Sequence, residues 1–286
     1  MLLMLAAIGL FSSLDLCAKY LSQTLPVLEV SWARYFGHFA IMVVFLAPKH
    51  GMGLLRTNRP MLQLVRSLLL LGCTVGFFLA ISYIPLADAA AIGFVSPLIV
   101  TALSVPLLGE AVGPRRWTAV AIGFVGALII VRPGLGVVHW ASFVVLAVAA
   151  SYALYQITTR MLASTDAPLT TLFYSAFVGA LILTCVVPFV WVTPTALLEI
   201  AAMLGIGLIG GLGHYLLIRA HGLAPVAVLA PLTYTSLLWN TAYGYAVFGD
   251  LPDGWTVAGA AVLIATGLYV LYREGIRRKE RQEELA

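Results

Sequence analysis

Charged side chains are scarce in this chain of 286 residues: they make up 10% of it, whereas hydrophobic residues make up 62%. A soluble domain has about a quarter charged residues and about half apolar ones. A soluble fold could not bury this much apolar surface, so lipid must be the solvent for most of it. The scarcity of charge therefore predicts an all-α integral membrane protein.

Several motifs that carry chemistry are also missing. The sequence has no Gly-x-x-x-x-Gly-Lys-Ser/Thr loop for a nucleotide, no Gly-x-Ser-x-Gly and no His-Glu-x-x-His. The cysteines show no metal-ligand spacing, and we interpret all of them as small buried hydrophobic residues: Cys17, Cys73 and Cys185. The net charge of +4 comes from short loops and the tail rather than from a basic patch with aromatics. We expect no cofactor, no metal site and no nucleic-acid partner.

Long apolar segments predict ten membrane-spanning helices, numbered spans 1 to 10 in chain order. A hydrocarbon core of about 30 Å needs about 20 helical residues. The predicted spans are 2–22, 27–47, 62–83, 87–108, 116–132, 140–163, 168–192, 199–219, 224–248 and 255–273. We expect span 1 to be retained rather than cleaved, because no basic residue precedes Lys19.

Two stretches of the chain are versions of each other. Residues 80–110 align without a gap on residues 220–250, at an offset of 140 residues. The alignment pairs nine identical residues, among them Pro85 with Pro225, Ser96 with Ser236 and Gly109 with Gly249. Because each half has five spans, the second enters the membrane from the opposite face, and the repeat is inverted. We divide the chain into residues 1–137, residues 138–275 and a charged tail, 276–286.

The basic residues predict the orientation. With the N-terminus in the cytoplasm, thirteen of the sixteen lysines and arginines fall on the cytoplasmic side, leaving Lys19, Arg34 and Arg132 on the outer side. Cytoplasmic loops carry an excess of lysine and arginine. We therefore expect a multi-pass, monomeric protein of a bacterial-type inner membrane with both termini in the cytoplasm.

The sequence resembles the drug/metabolite transporter superfamily, specifically its ten-helix EamA type. The resemblance rests on the segments 85–97 (Pro-Leu-Ala-Asp-Ala-Ala-Ala-Ile-Gly-Phe-Val-Ser-Pro), 107–110, 123–134, 229–236 and 248–250. It covers essentially the whole chain. It implies a carrier that moves small metabolites without ATP, by alternating access of the two halves around a central site.

The resemblance leaves the substrate open. The leading hypothesis is a secondary transporter that exports amino acids, including aromatic ones, and related metabolites. The alternative is an uptake carrier for a heterocyclic metabolite such as S-adenosylmethionine or riboflavin. An intramembrane enzyme that uses Asp15, His38, Asp88 or His214 is the alternative of another class, and we expect no enzyme.

Charged and polar residues inside the spans are the first candidates for substrate binding. Asp15 and Lys19 lie four apart on span 1, where they either pair with each other or line the substrate path. On span 2, Arg34 either reaches the outer interface or binds a carboxylate, and His38 is either a satisfied polar residue or a proton carrier. His214 on span 8 is held against a neighbouring backbone or faces the cavity.

Aromatic and amide side chains on spans 6 and 9 are the second group of candidates. Tyrosine and tryptophan at span ends usually mark the membrane interface, but several here are too deep for that. This group consists of Tyr152, Tyr155, Gln156, Tyr234, Trp239 and Asn240. Aromatic walls with few charges suit a zwitterion with an apolar side chain or a flat heterocycle.

Prolines inside spans 4 and 9 are the candidate gates, with Pro97 and Pro231 as the principal ones. Proline frees a backbone carbonyl one turn earlier, which either permits an ordinary kink or supports a moving hinge. Pro97 aligns with Leu237 rather than with Pro231, so we expect the two spans to bend differently.

Overall fold

The computed structural model describes residues 1–45, 48, 51–109, 112–132, 139–223 and 229–283, and in these residues it is helical with no strand. Within them, nine helices are long and apolar enough to cross a membrane. Large apolar side chains cover their outer surface, such as Phe189 at 87% exposed and Leu204 at 76%. Cys185 is also exposed there, so the prediction that all three cysteines are buried is wrong.

Most spans are continuous helices that begin and end close to the predicted positions. Prolines begin spans 3, 5 and 7, where the missing N–H has no helical partner to lose. The continuous helices are Leu2–Leu21 (span 1), Val27–Phe45 (span 2), Pro60–Ile81 (span 3), Pro114–Val131 (span 5), Trp140–Leu162 (span 6), Pro168–Val186 (span 7), Leu197–Leu223 (span 8) and Gly254–Glu283 (span 10). Short 3₁₀ turns cover Gly51–Leu55 and Val187–Phe189.

Spans 4 and 9 are broken in the middle. Span 4 consists of Leu86–Gly93 and Ser96–Leu108. Span 9 is a 3₁₀ helix, Ala230–Thr235, an α-helix, Ser236–Tyr243, and a π-helical turn, Gly244–Phe248. It is therefore not the single α-helix that the sequence predicts, and residues 224–228 of the predicted span lie outside the described residues.

The break in span 4 lies before its prolines, at Phe94 and Val95. Pro97 stands in the first turn of the following helix, and Pro106 is accommodated inside that helix. The helices after the two breaks begin at Ser96 and Ser236, which the repeat aligns. The breaks therefore lie at aligned positions, but span 4 is α-helical on both sides of its break whereas span 9 changes from 3₁₀ to α to π helix, so the two spans differ as the sequence predicts.

The repeated Gly-acid motif marks the ends of these two spans. Gly109 and Gly249 have φ of 67° and 74°, the left-handed conformation that glycine adopts without strain. Both follow the last helical residue and close the helix through backbone bonds to the preceding turn. The acidic residue of the first copy, Glu110, lies outside the described residues.

Packing between the spans has the symmetry of the repeat. Span 1 packs against span 8, and its equivalent, span 6, packs against span 3. Span 2 lies against spans 7 and 8, span 7 lies against spans 2 and 3, and the pairs 4 with 9 and 5 with 10 contact each other. Exchanging the two repeats leaves this pattern unchanged. With five spans in each repeat, the protein is an interlocked pair of inverted repeats.

Glycines allow the closest approaches between the two repeats. A Cβ added to Gly207 in span 8 would lie 2.5 Å from the Cα of Gly37 in span 2. A Cβ added to Gly126 in span 5 would lie 3.1 Å from the carbonyl oxygen of Gly259 in span 10. Small residues at such crossings let helix backbones touch, which is a common basis of helix packing in membranes.

Two hydrogen-bonded contacts, which we name the end clamps, join the repeats near the span ends. Thr24, after span 1, donates to Glu199 in the first turn of span 8 at 2.7 Å. Asn58, just before span 3, donates through its side chain to the Thr165 carbonyl at 2.8 Å and through its backbone to Asp166 at 3.0 Å. Thr24 and Thr165 each lie three residues after the last residue of the first helix of their repeat, so the two clamps are related by the same exchange.

Candidate functional site

A cavity of about 410 Å³ lies among spans 1, 2, 3, 4, 6, 8 and 9. It takes residues from both repeats, and most of its wall is apolar. Its aromatic lining residues are Phe11, Phe77, Phe78, Phe94, Tyr152 and Tyr155. A cavity of this size is in the range that holds a drug-sized ligand, which is about 300–1,000 Å³.

Asp15 and Arg34 are the acidic and the basic residue in the described lining of this cavity. The guanidinium of Arg34 donates to Thr74 and lies over the rings of Tyr35 and Phe78, at 5.2 Å and 5.7 Å from their centroids. Within the described chain, the Asp15 carboxylate accepts no hydrogen bond and forms no ion pair. Both groups can therefore still bind a ligand of opposite charge.

The two candidate histidines lie together. The rings of His38 and His214 are stacked, with centroids 5.5 Å apart and an angle of 10° between the planes. His214 lines the main cavity, whereas His38 lines only a smaller cavity of about 10 Å³. The smaller cavity has room for about one water molecule, and Arg34, Tyr155 and Ser175 also line it.

The candidate residues of span 6 divide into two groups. Tyr152 and Tyr155 line the main cavity and stack on each other at 5.4 Å between centroids. Gln156 is not among the described lining residues, because its amide reaches sideways and donates to Ser96 at 3.4 Å. Ser96 does line the cavity, so Gln156 contacts a lining residue without lining the cavity itself.

Span 9 contributes Asn240 to the cavity, and span 1 contributes Ser12 beside it. The two residues are 2% and 1% exposed, and each has a buried oxygen with no hydrogen-bond partner in the described residues. Ser13, next to Ser12, and Tyr243, three residues after Asn240, join the two spans by a hydrogen bond of 3.0 Å. Buried polar groups are nearly always hydrogen-bonded, so this corner of the cavity is suited to a polar ligand group.

Lys19 is not among the described lining residues of the cavity, and of the two alternatives for Asp15 and Lys19 the mutual ion pair does not form. The Lys19 ammonium lies 2.8 Å from the Asp250 carboxylate and 3.1 Å from the carbonyl oxygen of Ile84. It also lies 4.9 Å from the ring centroid of Phe248. Lys19 therefore joins the end of span 1 to the end of span 9, one helical turn beyond Asp15.

Tyr234 and Trp239 also lie outside the described cavity wall. Tyr234 contacts Phe94 edge to face at 5.0 Å, and its hydroxyl fills the space that a side chain at Gly267 would need. Trp239 packs over Gly9 of span 1 and is 41% exposed. In the described residues both pack between helices, and their role in substrate binding stays a prediction.

The predicted gate residues are likewise not in the described wall. Pro97 and Pro231 each stand in the first turn of a helical segment, Ser96–Leu108 and Ala230–Thr235 respectively. Their neighbours Ser96, Thr233 and Ser236 do line the cavity. The gating role of the two prolines stays a prediction.

Arg66 and Thr74 of span 3 are functional-site residues that the sequence did not predict. We counted Arg66 among the cytoplasmic basic residues, but it is 4% exposed and bonded inside the helix bundle. Thr74 is 4% exposed and accepts the hydrogen bond of Arg34. A signal existed: Arg66, Leu70 and Thr74 are spaced four apart, which places them on one face of the helix.

No group of three histidine, cysteine, aspartate or glutamate side chains that could hold a metal ion is found among the described residues. Asp88, which the enzyme alternative names, lies in the first turn of span 4 and not in the described cavity wall. The other residues of the enzyme alternative do line cavities: Asp15 and His214 line the main cavity, and His38 and His214 line the smaller one.

The fold and the cavity define a multi-pass membrane transporter built from two repeats. The chain belongs to the EamA-like transporter family, whose pattern matches residues 1–132 and residues 139–273. One solved crystal structure is similar over 98% of both chains, with a TM-score of 0.65 and 21% sequence identity, which shows a shared fold.

Several characterised relatives match over most of their length. The chain is 30% identical to the S-adenosylmethionine uptake transporter of Rickettsia bellii, over 92% of this chain and 90% of that one. It is 29% identical to the pseudopaline exporter CntI of Pseudomonas aeruginosa, over 89% of both chains. It is 27% identical to the riboflavin transporter of Vibrio cholerae, over 98% of this chain and 94% of that one.

Proposed function

We propose that the protein carries metabolites that join an α-amino-acid group to a flat aromatic or heterocyclic group, with S-adenosylmethionine as the leading candidate. The observation that carries the proposal is that Asp15 and Arg34 face one cavity with aromatic walls. The Asp15 carboxylate would bind the substrate ammonium and the Arg34 guanidinium would bind its carboxylate. The aromatic residues would hold the flat group.

Two further observations support a substrate larger than a single amino acid. The cavity volume of about 410 Å³ suits a drug-sized ligand. The relatives include an S-adenosylmethionine carrier that matches nearly the whole chain. An aromatic amino acid, the leading hypothesis from the sequence, has the same ammonium and carboxylate and is the second candidate to test.

Transport would follow alternating access of a binding site shared by the two repeats. In the orientation that the basic residues predict, the Lys19–Asp250 ion pair lies towards the outer face and must separate if the substrate path opens there. Export and uptake are the same cycle run in opposite directions, so the substrate gradients set the direction. We retain the inner membrane, cytoplasmic termini and a monomeric carrier as proposals.

Asp15 and Arg34 should discriminate against riboflavin as a substrate. It has a flat heterocycle, but it has no ammonium and no carboxylate for Asp15 and Arg34 to bind. A relative from Vibrio cholerae is a riboflavin transporter, which keeps this alternative in the test. Substitution of the charged pair should have little effect on riboflavin transport and a large effect on transport of a zwitterion.

The test uses the purified protein in liposomes and labelled S-adenosylmethionine, tryptophan and riboflavin. We expect S-adenosylmethionine to exchange faster than in empty liposomes, and Asp15→Asn and Arg34→Gln each to lower the rate at least about tenfold, because a hydrogen bond to a charged group contributes about 1.5–3 kcal/mol. Arg115→Gln is the matched control, since Arg115 is exposed at the start of span 5. Unchanged exchange in both cavity variants would overturn the proposed site.

A further inference from the structure

Arg66 in span 3 is a buried cation whose described partners are all neutral. Its guanidinium donates to the Thr159 hydroxyl at 2.7 Å, the Thr171 carbonyl at 3.1 Å, the Ser175 hydroxyl at 2.5 Å and the Tyr155 hydroxyl at 2.7 Å. It is 4% exposed and also lies over the Tyr155 ring, 4.4 Å from the centroid. In the described part of the chain, no carboxylate is within ion-pair distance of it.

A buried positive charge without an anionic partner is energetically costly, which suggests that Arg66 has a function. Charged residues inside membrane spans are rare, and they usually pair with a partner or mark the path of a substrate or ion. Here the hydrogen-bonding capacity of Arg66 is used by three side-chain hydroxyls and one carbonyl, but its charge is not neutralised. Arginine binds a carboxylate through two parallel bonds that are about twice as strong as neutral ones.

The position of Arg66 connects it to the main cavity. Thr74, which binds Arg34 in that cavity, is eight residues further along the same helix, a rise of about 12 Å. Tyr155 lies between the two levels, because its side chain lines the main cavity and its hydroxyl accepts the bond from Arg66. The small cavity lined by Arg34, Tyr155 and Ser175 occupies the same region.

We propose that Arg66 is a second carboxylate-binding site on the substrate path, separated from the main cavity by Tyr155. The inference rests on the proposed function, since it needs a substrate with a carboxylate. As the substrate moves from Arg34 towards the start of span 3 and the end of span 6, the hydroxyls of Tyr155 and Ser175 rotate away from Arg66. The carboxylate takes their place on the guanidinium, so the negative charge of the substrate moves from one arginine to the next.

The experiment compares two substrates in one preparation of each variant: S-adenosylmethionine and decarboxylated S-adenosylmethionine, which keeps the ammonium and the heterocycle. Exchange rates at saturating concentration are measured in liposomes for the wild type, Arg66→Gln and Arg66→Lys. Equilibrium binding of S-adenosylmethionine is measured in parallel. The ratio of the two rates does not depend on how much of a variant is folded, so a partly unfolded preparation still gives an answer.

We expect Arg66→Gln to lower the rate ratio about tenfold, while binding of S-adenosylmethionine in the main cavity changes less than about twofold. Arg66→Lys, which keeps the charge but loses the fork geometry, should give an intermediate ratio. If both substrates slow down equally in Arg66→Gln, Arg66 only holds the helices together and the second site is overturned. If the wild type does not move S-adenosylmethionine at all, the proposed function fails, and this inference fails with it.

Discussion

The contact between Gly37 and Gly207 shows how one residue controls the distance between two helices. The backbones of spans 2 and 8 touch there, with no room for a methyl group on either side. Span 2 carries Arg34 and His38, and span 8 carries His214. The position of three cavity residues therefore depends on two residues that have no side chain.

We predict that Gly207→Ala lowers the thermal stability of the protein, whereas Gly205→Ala does not. A Cβ at Gly207 would lie 2.5 Å from the Gly37 Cα, and overpacking of this kind costs about 1–3 kcal/mol. A Cβ at Gly205 would meet only the end of the Ile209 side chain, at 4.0 Å, and alanine favours the helix by up to about 1 kcal/mol.

The measurement is thermal unfolding in detergent, with both variants purified in the same way. The two glycines are two residues apart on one helix, so differences in helix propensity cancel between them. Equal midpoints for the two variants would show that spans 2 and 8 do not touch at Gly207.

At this scale, the sequence identified Asp15, Lys19 and Arg34 as charged residues inside the spans, but it missed Arg66 and did not show which partners these residues have. The spacing of Asp15 and Lys19 correctly placed them on one helix, yet Lys19 pairs with Asp250, 231 residues away. Spacing within a helix reports only neighbours on that helix. Contacts between helices depend on packing angles and on close approaches, which a single sequence does not contain.

At the scale of elements, the start of span 10 is tied to the end of span 5. Asp253 accepts a hydrogen bond from the Thr256 backbone N–H at 2.8 Å, which makes it the N-cap of span 10. It also forms an ion pair with Arg132 at 2.8 Å. The hydrogen bond from the Thr256 N–H holds the pKa of the Asp253 carboxyl below its usual range, and the Arg132 charge adds a smaller effect in the same direction.

We predict that Asp253→Ala destabilises the protein by about 1 kcal/mol near neutral pH, the usual cost of losing an N-cap. A lowered folded-state pKa means that the charged carboxylate stabilises the fold above the ordinary aspartate pKa of about 3.9. This contribution is lost as the pH falls through the lowered value, so the difference from wild type should shrink below about pH 4.

Asp253→Asn is the matched control, because it keeps a capping oxygen and removes only the charge. We expect it to lie between the wild type and Asp253→Ala near neutral pH in thermal unfolding experiments. A difference between wild type and Asp253→Ala that stays constant down to about pH 3 would contradict the role of the carboxylate charge.

The span boundaries were predictable because a hydrophobic core of fixed thickness needs a fixed length of apolar helix. Charge, proline and glycine then punctuate the sequence, and prolines begin spans 3, 5 and 7. The helix types of span 9 were not predictable in this way. A change from 3₁₀ to α to π helix, as between Ala230 and Phe248, preserves the apolar composition and only redistributes hydrogen bonds.

At the scale of the whole molecule, the two repeats are interlocked rather than side by side. Spans 1 and 2 of the first repeat pack against span 8 of the second, and spans 6 and 7 pack against span 3. The end clamps fix both of these mixed groups at the membrane surface. Rocking of the two sequence halves as separate bodies would break most of these contacts, so the mixed groups are better candidates for the moving bodies.

The inverted topology predicts that equivalent loops lie on opposite faces of the membrane. Gln23 and Ser164 are exposed and lie at equivalent positions after spans 1 and 6. In a variant without the three native cysteines, we expect Gln23→Cys to react with an impermeant maleimide added to intact cells. Ser164→Cys should react only after the cells are permeabilised.

The two variants are controls for each other, since both place one cysteine in a short loop at the same position of its repeat. Labelling of both from the same side would contradict the inversion. Labelling of Ser164→Cys alone in intact cells would keep the inversion and reverse the orientation that the basic residues predict.

The ion pair between Lys19 and Asp250 has a consequence for how the protein is made. Lys19 enters the membrane with span 1, but its partner is synthesised 231 residues later. At about 5–20 residues per second, the ribosome takes roughly 10–50 s to reach that partner. During this interval the Asp250 carboxylate is absent, so Asp15 on the same helix, the insertion machinery, lipid headgroups or water must solvate the lysine. The contact between the ends of spans 1 and 9 can therefore form only after the ninth span has been synthesised.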